Sequence, residues 1–304
     1  MWQAAQTIFL SIVLESLPFV LLGVLLSSLI QELVSQERML RLMPKNGKMA
    51  VLVSSLFGLV LPVCDCGTIP VARSLIRKGM PTSVAVSFTL SAPVVNPITM
   101  IATYVAFGMN ASMMWLRVTT TFVISVVIGW ILLSIETKEN KHLETRCYEH
   151  ALAETATTRS VQHRRSVSQV FGAVIGHAII EFFEVGGFVV ASAAVAAVLQ
   201  TWIPASVLSP VGKDPIWSVA GMMILAILLS LCSEADAFVA RSLSGLTTTG
   251  GVLGFLVIGQ MIDMRNMFLL PSVFSRRIVI IAFSLAMILT LCGGILINYI
   301  GFKI

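Results

Sequence analysis

Charged residues are scarce in this chain. Of its 304 residues, 12% are charged and 57% are hydrophobic. A soluble domain has roughly 25% charged residues, so this chain has too few to cover a water-facing surface. Lys and Arg exceed Asp and Glu, giving a formal net charge of +5. In so apolar a chain this excess is typical of cytoplasmic loops rather than of nucleic-acid binding.

Several other signals are also missing. The five cysteines make an odd count and lie mostly in apolar stretches, which argues against a secreted disulfide framework. The chain has no Gly-x-x-x-x-Gly-Lys-Ser/Thr loop, so we do not expect it to hydrolyse ATP, and no cofactor is predicted. The first residues, Met1-Trp2-Gln3, lack the basic region of a signal peptide, so we expect the first apolar run to be retained.

Apolar segments long enough to cross a bilayer dominate the rest of the chain. A spanning helix needs about 20 apolar residues. Eight apolar segments lie at about 4–34, 48–63, 82–107, 112–135, 168–201, 216–232, 249–270 and 278–299. The pattern predicts an all-α integral membrane protein with two membrane domains, 1–135 and 168–304. They are joined by a polar cytoplasmic linker at 136–167, interpreted as a solvated loop that is in part helical.

The two membrane domains carry an internal repeat. Val71–Leu75 recurs in identical sequence as Val239–Leu243, 168 positions later. Glu15 stands opposite Glu184 at an offset of 169, and Asn96 stands opposite Asp263 at an offset of 167. Matches in the same order at a nearly constant offset predict a duplicated unit.

Basic residues predict how the repeats are oriented. Lys and Arg cluster at 38–48, in the linker and at Arg276-Arg277, and all three clusters suit the cytoplasm. Arg73, Arg77 and Lys78 reach the same side only if 48–63 and 68–78 form a re-entrant hairpin. Each half then has three spans plus a hairpin, the second hairpin lying at 216–232 and 235–246, and the halves have inverted topology. Eight full spans with parallel halves remain the alternative.

Each half is interrupted twice within its apolar segments. The interruptions are Cys64–Pro70 and Ser91–Pro97 in the first half, and Cys232–Asp236 and Gly259–Asp263 in the second. Proline removes a helical donor and biases the preceding residue away from helix. Non-helical backbone at membrane depth occurs only where protein or a water-filled cavity surrounds it. We therefore expect these places to line a pathway, although simple kinks are an alternative.

Carboxylates lie in or beside the apolar segments. Each costs a few kcal/mol at mid-membrane unless it is paired, protonated or hydrated. Glu15 and Glu184 are predicted to couple transport to protonation. His177, Glu181 and Glu184 follow one helical face, which suits a proton relay or metal ligands. Pairing with Arg73 or Arg241 is the alternative for any single acid.

Two cysteines flank Asp65 at the first interruption. Cys64 and Cys66 are soft ligands that favour Cu(I), Zn(II) and, by extension, trivalent arsenic. Cys232 stands opposite Cys64 at an offset of 168, so a metal site of Cys64, Cys66 and Cys232 is one hypothesis. Tight packing of small side chains is the other.

These motifs carry a family resemblance. Cys64–Ala72, Gly79–Pro81 and Ser91–Pro97 resemble the predicted-permease family that includes the bacterial organoarsenical permeases, and Ser233–Phe238 is similar to its second-half motif. The resemblance covers nearly the whole chain. It implies a multi-pass permease of the bacterial inner membrane, often paired with a second small membrane subunit.

The sequence therefore predicts a secondary permease rather than an enzyme. It would move a small solute or ion through a mid-membrane site, with protonation as the coupling. The predicted substrate-binding residues are Cys64, Asp65, Cys66, Asn96, Glu234, Asp236 and Asp263. Two alternatives stay open: a membrane thiol oxidoreductase and a non-transporting subunit of a membrane complex. The expected partners are lipid, the solute and the second subunit, with a homo-oligomer left open and no nucleic acid.

Overall fold

The chain folds into helices joined by short turns. The computed structural model describes residues 2–33, 44, 46–60, 65–158, 167–202 and 214–301, and no strand occurs in these ranges. A short 3₁₀ turn, Phe57–Leu59, follows the second helix. In chain order the helices are α1 (Trp2–Leu33), α2 (Gly47–Ser55), α3 (Asp65–Arg77), α4 (Thr82–Ser91), α5 (Pro97–Ala106), α6 (Ala111–Thr158), α7 (Val167–Trp202), α8 (Trp217–Leu229), α9 (Ala235–Leu243), α10 (Thr249–Met261), α11 (Met264–Val273) and α12 (Arg276–Ile300).

Five stretches of helix within the described ranges have the length and apolar composition of membrane spans. A helix rises 1.5 Å per residue, so about 20 residues cross the hydrocarbon core. The candidate spans are Gln6–Leu29, Ala111–Glu136, Val174–Val195, Thr249–Val273 and Arg276–Ile300. The prediction of an all-α integral membrane protein is confirmed. The re-entrant hairpins and the inverted topology remain predictions.

Two short helices are separated by the offset of the predicted repeat. Within the described ranges, helices α1 to α6 are followed by six further helices, α7 to α12. The two short helices are α5 and α11, which are both ten residues long. Pro97 and Met264, which begin them, stand 167 positions apart, as do Ala106 and Val273, which end them. Below, α1 to α6 are called the first half and α7 to α12 the second half.

Short helices α4 and α10 form the centre of the molecule. Every residue from Ser83 to Ser91 is buried, as is every residue from Gly250 to Met261, and the two helices contact each other. Helices that are apolar all round suit such a position. Helices α1 and α7 pack together at the periphery and expose large apolar side chains such as Leu14 and Phe183. Their outer faces are therefore suited to lipid.

Helices in this core approach closely at small residues. A Cβ added to Gly23 would clash with the backbone of Gly67, which joins α1 to α3, and one added to Gly250 would clash with the carbonyl of Gly294, which joins α10 to α12. Small residues at such contacts let helix backbones pack tightly in a membrane, where lipid offers no hydrophobic drive for helix association.

One expectation about a non-helical segment was wrong in part. The first interruption was predicted at Cys64–Pro70, but α3 begins at Asp65 and contains Pro70. Pro70 lies near the start of the helix, where it removes one backbone donor without ending the helix. Ser27 Oγ on α1 donates to the Pro70 carbonyl at 3.0 Å and so joins α1 to α3. The linker was interpreted as a solvated loop that is in part helical, and α6 continues into it as far as Thr158. No Gly or Pro interrupts Glu136–Thr158, and many of its residues are good helix formers.

Candidate functional site

A non-helical joint separates α8 from α9. Helix α8 ends at Leu229 with Ser230 in the left-handed conformation (φ 47°), and α9 begins at Ala235. This confirms the predicted interruption near Cys232–Asp236. A non-glycine residue with positive φ is uncommon and deserves a structural reason. Here it turns the chain so that the polar residues of 230–236 face the core.

The second interruption in each half is a helix cap. The Asn96 side-chain oxygen accepts a hydrogen bond from the Ile98 amide at 2.9 Å and begins α5. Asp263 Oδ1 accepts from the Asn266 amide at 2.6 Å and begins α11. Both side chains are buried. Asn and Asp are favoured at this position because they satisfy amide groups at a helix start. The predicted break at Ser91–Pro97 is confirmed, whereas the one predicted at Gly259–Asp263 is confirmed only for Ile262 and Asp263, because α10 continues to Met261.

A buried ion pair joins the two halves. Arg117 on α6 and Asp236 on α9 are 0% and 2% exposed. The Arg117 nitrogen Nη2 lies 2.9 and 3.0 Å from the two carboxylate oxygens of Asp236. The Gln260 amide on α10 donates to Asp236 Oδ2 at 2.6 Å. A buried carboxylate of this kind is stable only when such partners replace water.

The remaining groups of this pair are only partly satisfied. Arg117 Nη1 donates to Thr103 Oγ1 at 2.7 Å, and Nη2 also donates to the Ser233 carbonyl at 3.3 Å. Three buried atoms at the same place have no hydrogen-bond partner among the described residues: Arg117 Nε, Ser233 Oγ and Gln260 Oε1. Buried polar atoms are nearly always hydrogen-bonded, so these three atoms, on Arg117 itself and on two residues hydrogen-bonded to the pair, make this place a candidate binding site.

Glu234 connects this pair to the first-half break. The Thr99 hydroxyl on α5 donates to the Pro93 carbonyl at 2.8 Å and lies 3.5 Å from Glu234 Oε1. Glu234 is partly buried. The Thr103 hydroxyl, which accepts from Arg117, donates to the Thr99 carbonyl at 2.8 Å and so links Thr99 to the ion pair. The non-helical backbone at Pro93 therefore lies near the joint between α8 and α9.

Hydrogen bonds continue from Gln260 to a second ion pair. The Asn266 side chain donates to the Gln260 carbonyl at 3.2 Å. Asp263 Oδ2 accepts from Arg265 Nε at 2.9 Å and from Ser230 Oγ at 3.2 Å. Arg265 Nη2 donates to the Leu231 carbonyl at 2.7 Å. Below, the polar network is the set of linked residues Thr99, Thr103, Arg117, Ser230, Leu231, Ser233, Glu234, Asp236, Gln260, Asp263, Arg265 and Asn266.

This polar network unites three residues of the predicted site, Glu234, Asp236 and Asp263. Asn96 lies three residues before Thr99 and begins the same helix. Cys64 lies outside the described residues. Asp65 and Cys66 begin α3, but their side chains are not among those described. Cys232 is partly buried and lies in the joint between α8 and α9. Within the described ranges no three His, Cys, Asp or Glu side chains converge as metal ligands.

The predicted proton-coupling residues lie on α1 and α7. Glu184 forms an ion pair with Arg73 at 2.7 Å, with the two side chains 42% and 26% exposed. This pair also joins the halves, because α3 carries Arg73 and α7 carries Glu184. His177 on α7 is exposed. The side chains of Glu15 and Glu181 are outside the described set, so their predicted roles stay predictions.

Sequence reasoning missed the two arginines of the network. Arg117 lies in the apolar segment 112–135, and Arg265 follows Asp263 directly. A signal was present, since any ionisable residue inside a membrane segment is a candidate functional residue. By that rule only carboxylates were predicted as site residues. The partner of Arg117 is 119 positions away, and sequence spacing does not predict such a contact.

A multi-pass helical membrane protein with a buried polar network between its halves has the architecture of a membrane transporter. The chain belongs to the predicted-permease family, whose model matches residues 1–299. This agrees with the motif resemblance. It supports a transporter rather than an enzyme, and a multi-pass membrane protein consistent with the bacterial inner membrane.

Three proteins are similar to this chain in sequence. The UPF0718 protein YcgR of Bacillus subtilis (strain 168) is 38% identical over 293 residues, which cover 96% of each chain. A Streptococcus mutans protein, named as a subunit of a two-component membrane permease complex, is 33% identical over 90% of this chain and 88% of its own. The UPF0718 protein YraQ of Escherichia coli (strain K12) is 33% identical over 33% of this chain and 29% of its own. No solved structure matches the chain.

Proposed function

We propose that this protein is a secondary permease that moves a small solute or ion through a site between its two halves. The observation that carries the proposal is the buried Arg117–Asp236 pair with its unpartnered neighbouring atoms. Ionisable residues are costly inside a membrane and typically mark substrate or ion pathways. Here they lie beside non-helical backbone, as in other transporters whose sites form at broken helices.

Alternating access would require the contacts between the halves to break and re-form. Among the described side chains, two ion pairs cross between them: Arg117–Asp236 in the core and Arg73–Glu184 nearer the surface. In one state both pairs are closed, as described above. In the other, one half rocks against its partner and each arginine finds new acceptors or water. These two ion pairs are then the contacts that control the movement of one half against the other.

Protonation is the proposed coupling. Adding a proton to Asp236 or Glu184 would remove the charge that holds its arginine, so the closed state would weaken. Glu15 is the repeat counterpart of Glu184, and it is proposed to act in the same way within α1. Glu181 and His177, on the same helix as Glu184, are proposed to pass protons to and from it.

The substrate side of the proposal includes the cysteines. Cys64, Cys66 and Cys232 are proposed to bind a thiol-reactive metal or metalloid when that is the solute. Asp65, Asn96 and Asp263 would complete the lining. The cysteine proposal rests on the sequence motif and on the place of Cys232 within the joint between α8 and α9.

A second membrane subunit is proposed as partner. The Streptococcus mutans relative is named as part of a two-component complex, and the long apolar faces of α1 and α7 offer a surface for helix contacts in the membrane. Affinity purification of the full chain from mild detergent tests this. A stoichiometric small membrane protein supports the proposal, and a chain that purifies alone or with itself contradicts it.

Transport itself is tested in two stages. A deletion strain is first screened for resistance and accumulation across metalloids, transition metals, thiol compounds and monovalent cations. Flux of each solute that scores is then measured in proteoliposomes. Asp236→Asn, Glu234→Gln and Asp65→Asn are expected to reduce flux at least tenfold. Glu136→Gln serves as control, because Glu136 lies outside the polar network and its hydrogen bond from the Ser83 amide at the start of α4 can also be accepted by a glutamine oxygen. Wild-type flux in the three site variants would overturn the proposal.

A further inference from the structure

Within the described part of the structure, Glu234 differs from the other carboxylates of the polar network because it has no cationic partner. Asp236 is paired with Arg117, and Asp263 is paired with Arg265. Among the residues whose side chains are described, none forms a salt bridge with Glu234, and its one short polar contact is the Thr99 hydroxyl at 3.5 Å. Three carboxylates and two guanidinium groups leave one negative charge in excess, which belongs to Glu234.

Two unpartnered oxygen atoms belong to residues that neighbour Glu234 in the sequence or in the polar network. Ser233 Oγ belongs to a side chain that is 0% exposed and directly precedes Glu234. Gln260 Oε1 belongs to a side chain that is 1% exposed and is fixed by the bond from its own amide nitrogen to Asp236. Neither oxygen has a hydrogen-bond partner in the described part of the chain. Burying an unsatisfied acceptor costs about 1–3 kcal/mol, so both oxygens are candidate ligand contacts.

The chemistry of these atoms selects the class of ligand. A carboxylate, an amide oxygen and a hydroxyl are hard oxygen donors, which bind hard cations rather than soft metals. The excess charge of one suits a monovalent cation. An anion is disfavoured because it would meet Glu234 and Asp236 together, while Arg117 is already engaged by Asp236. The unpartnered Arg117 Nε is a donor, and a water shared with the cation would satisfy it.

We propose that Glu234, Ser233 Oγ and Gln260 Oε1 form a binding site for a monovalent cation of the alkali or ammonium class. The inference rests on the proposed function, because the cation is what the permease carries through the polar network. Binding would also draw Gln260 towards the cation and so weaken its hydrogen bond to Asp236. That loosens the Arg117–Asp236 pair and links cation binding to movement of the halves.

Cation binding is tested on the full chain purified in detergent, without any transport assay. Thermal unfolding is followed in N-methylglucamine chloride at constant ionic strength while Li⁺, Na⁺, K⁺, Rb⁺ or NH₄⁺ replaces the large cation. A ligand that binds the folded state raises the melting temperature in a saturable way. We expect at least one of the five ions to do so. Mg²⁺, Ca²⁺ and Zn²⁺ are run alongside.

Substitutions at the three proposed ligand residues test whether the cation binds there. Glu234→Gln is expected to abolish the saturable shift. Ser233→Ala and Gln260→Leu are expected to raise the apparent dissociation constant about tenfold, the loss of one ligand. Glu136→Gln is the matched control, since Glu136 is also partly buried and lies outside the network, and its shift should equal that of the wild type. The Ser233 variant removes one oxygen only, so it decides the matter if Glu234→Gln does not fold.

Three results would overturn the inference: no monovalent ion stabilises the chain, only divalent ions do, or the site variants keep the wild-type shift. The first would leave water or a proton as the ligand of these atoms. Flux in proteoliposomes without cation binding would remove this inference and leave the permease standing. Binding without flux of any solute would keep the site and remove the permease.

Discussion

The two buried ion pairs of this protein have the same chemistry and different surroundings. Arg265 and Asp263 are two residues apart in sequence, and Asp263 also caps α11 and accepts from Ser230. Arg117 and Asp236 are 119 residues apart and come from different halves. Three polar atoms, on Arg117, Ser233 and Gln260, lack partners in the described structure. The Asp263–Arg265 pair is local and well satisfied, and the Arg117–Asp236 pair is long-range and incompletely satisfied.

The difference separates stabilisation from function. A well-satisfied polar group at a helix start is what a stable turn requires. An under-satisfied buried pair is a poor way to stabilise a protein, because its desolvation cost can exceed the Coulombic gain. Such a pair is retained where its breaking and re-forming serve a purpose. We therefore interpret Asp263–Arg265 as a chiefly structural pair and Arg117–Asp236 as the contact between moving halves. Asp263, which the sequence predicted as a substrate-binding residue, is then less important for transport than Asp236.

Breaking the long-range pair should have the largest effect. Arg117→Met leaves Asp236 buried without its cation, which costs about 3–5 kcal/mol, and flux should fall to background. Chemical unfolding in detergent measures the first effect and proteoliposome flux the second. Arg117→Lys is the matched variant and should recover part of the stability, because it restores the charge without the planar guanidinium. Equal stability of Arg117→Met and the wild type would contradict this account of the pair.

Weakening the local pair should cost less and spare more transport. Asp263→Asn keeps a capping oxygen, as Asn96 does in the first half, but removes the charge facing Arg265. A hydrogen bond to a charged group contributes about 1.5–3 kcal/mol, so we expect a stability loss of that size. Flux should exceed that of Asp236→Asn by several-fold in the same membranes. If the two variants lose flux equally, the proposed distinction between the pairs is wrong.

Packing within a half gives a purely structural reference. A methyl group at Gly250 would clash with the Gly294 carbonyl, so Gly250→Ala should destabilise the protein by about 1–3 kcal/mol through overpacking. Gly186→Ala on α7 meets nothing within 4 Å and should be neutral or slightly stabilising, since alanine favours helix. Melting temperatures of the two variants measure this, and comparable losses would contradict the close α10–α12 contact.

The half-exposed pair between α3 and α7 should matter least for stability. Exposed ion pairs contribute about 0–1 kcal/mol, so Glu184→Gln should shift the free energy of unfolding by no more than that. Because Glu184 is proposed to couple transport to protonation, flux through the same variant should depend less on the proton gradient. A loss of several kcal/mol on unfolding would show instead that Arg73–Glu184 is a structural element.

Local sequence rules predicted the helix breaks well. Pro93, Pro97 and the polar residues beside them end α4 before Asn96, and Asp263 marks the equivalent point 167 positions later. Both signals act within a few residues, through lost donors and side-chain caps. Pro70 was interpreted by the same rule and the prediction was wrong in part, because a proline near the start of a helix removes one donor without ending the helix.

The long-range contacts could not be predicted from the sequence. Glu234, Asp236 and Asp263 were predicted as site residues on their cost in a membrane, and the structure brings them into one network. Arg117 and Gln260 were not predicted, since their positions beside Asp236 follow from how α6 and α10 pack against α9. The free-energy cost of a charged side chain inside the membrane identifies which residues need partners, and only the tertiary structure identifies those partners.

The central claim is that the Arg117–Asp236 pair serves movement rather than stability, and one double variant tests it directly. Arg117→Met combined with Asp236→Leu replaces both charges by apolar groups, which is often neutral or stabilising for a buried pair. The account predicts stability close to the wild type together with flux at background, measured in proteoliposomes for the solute that the screen identifies. A double variant that is stable and transports at the wild-type rate would contradict it.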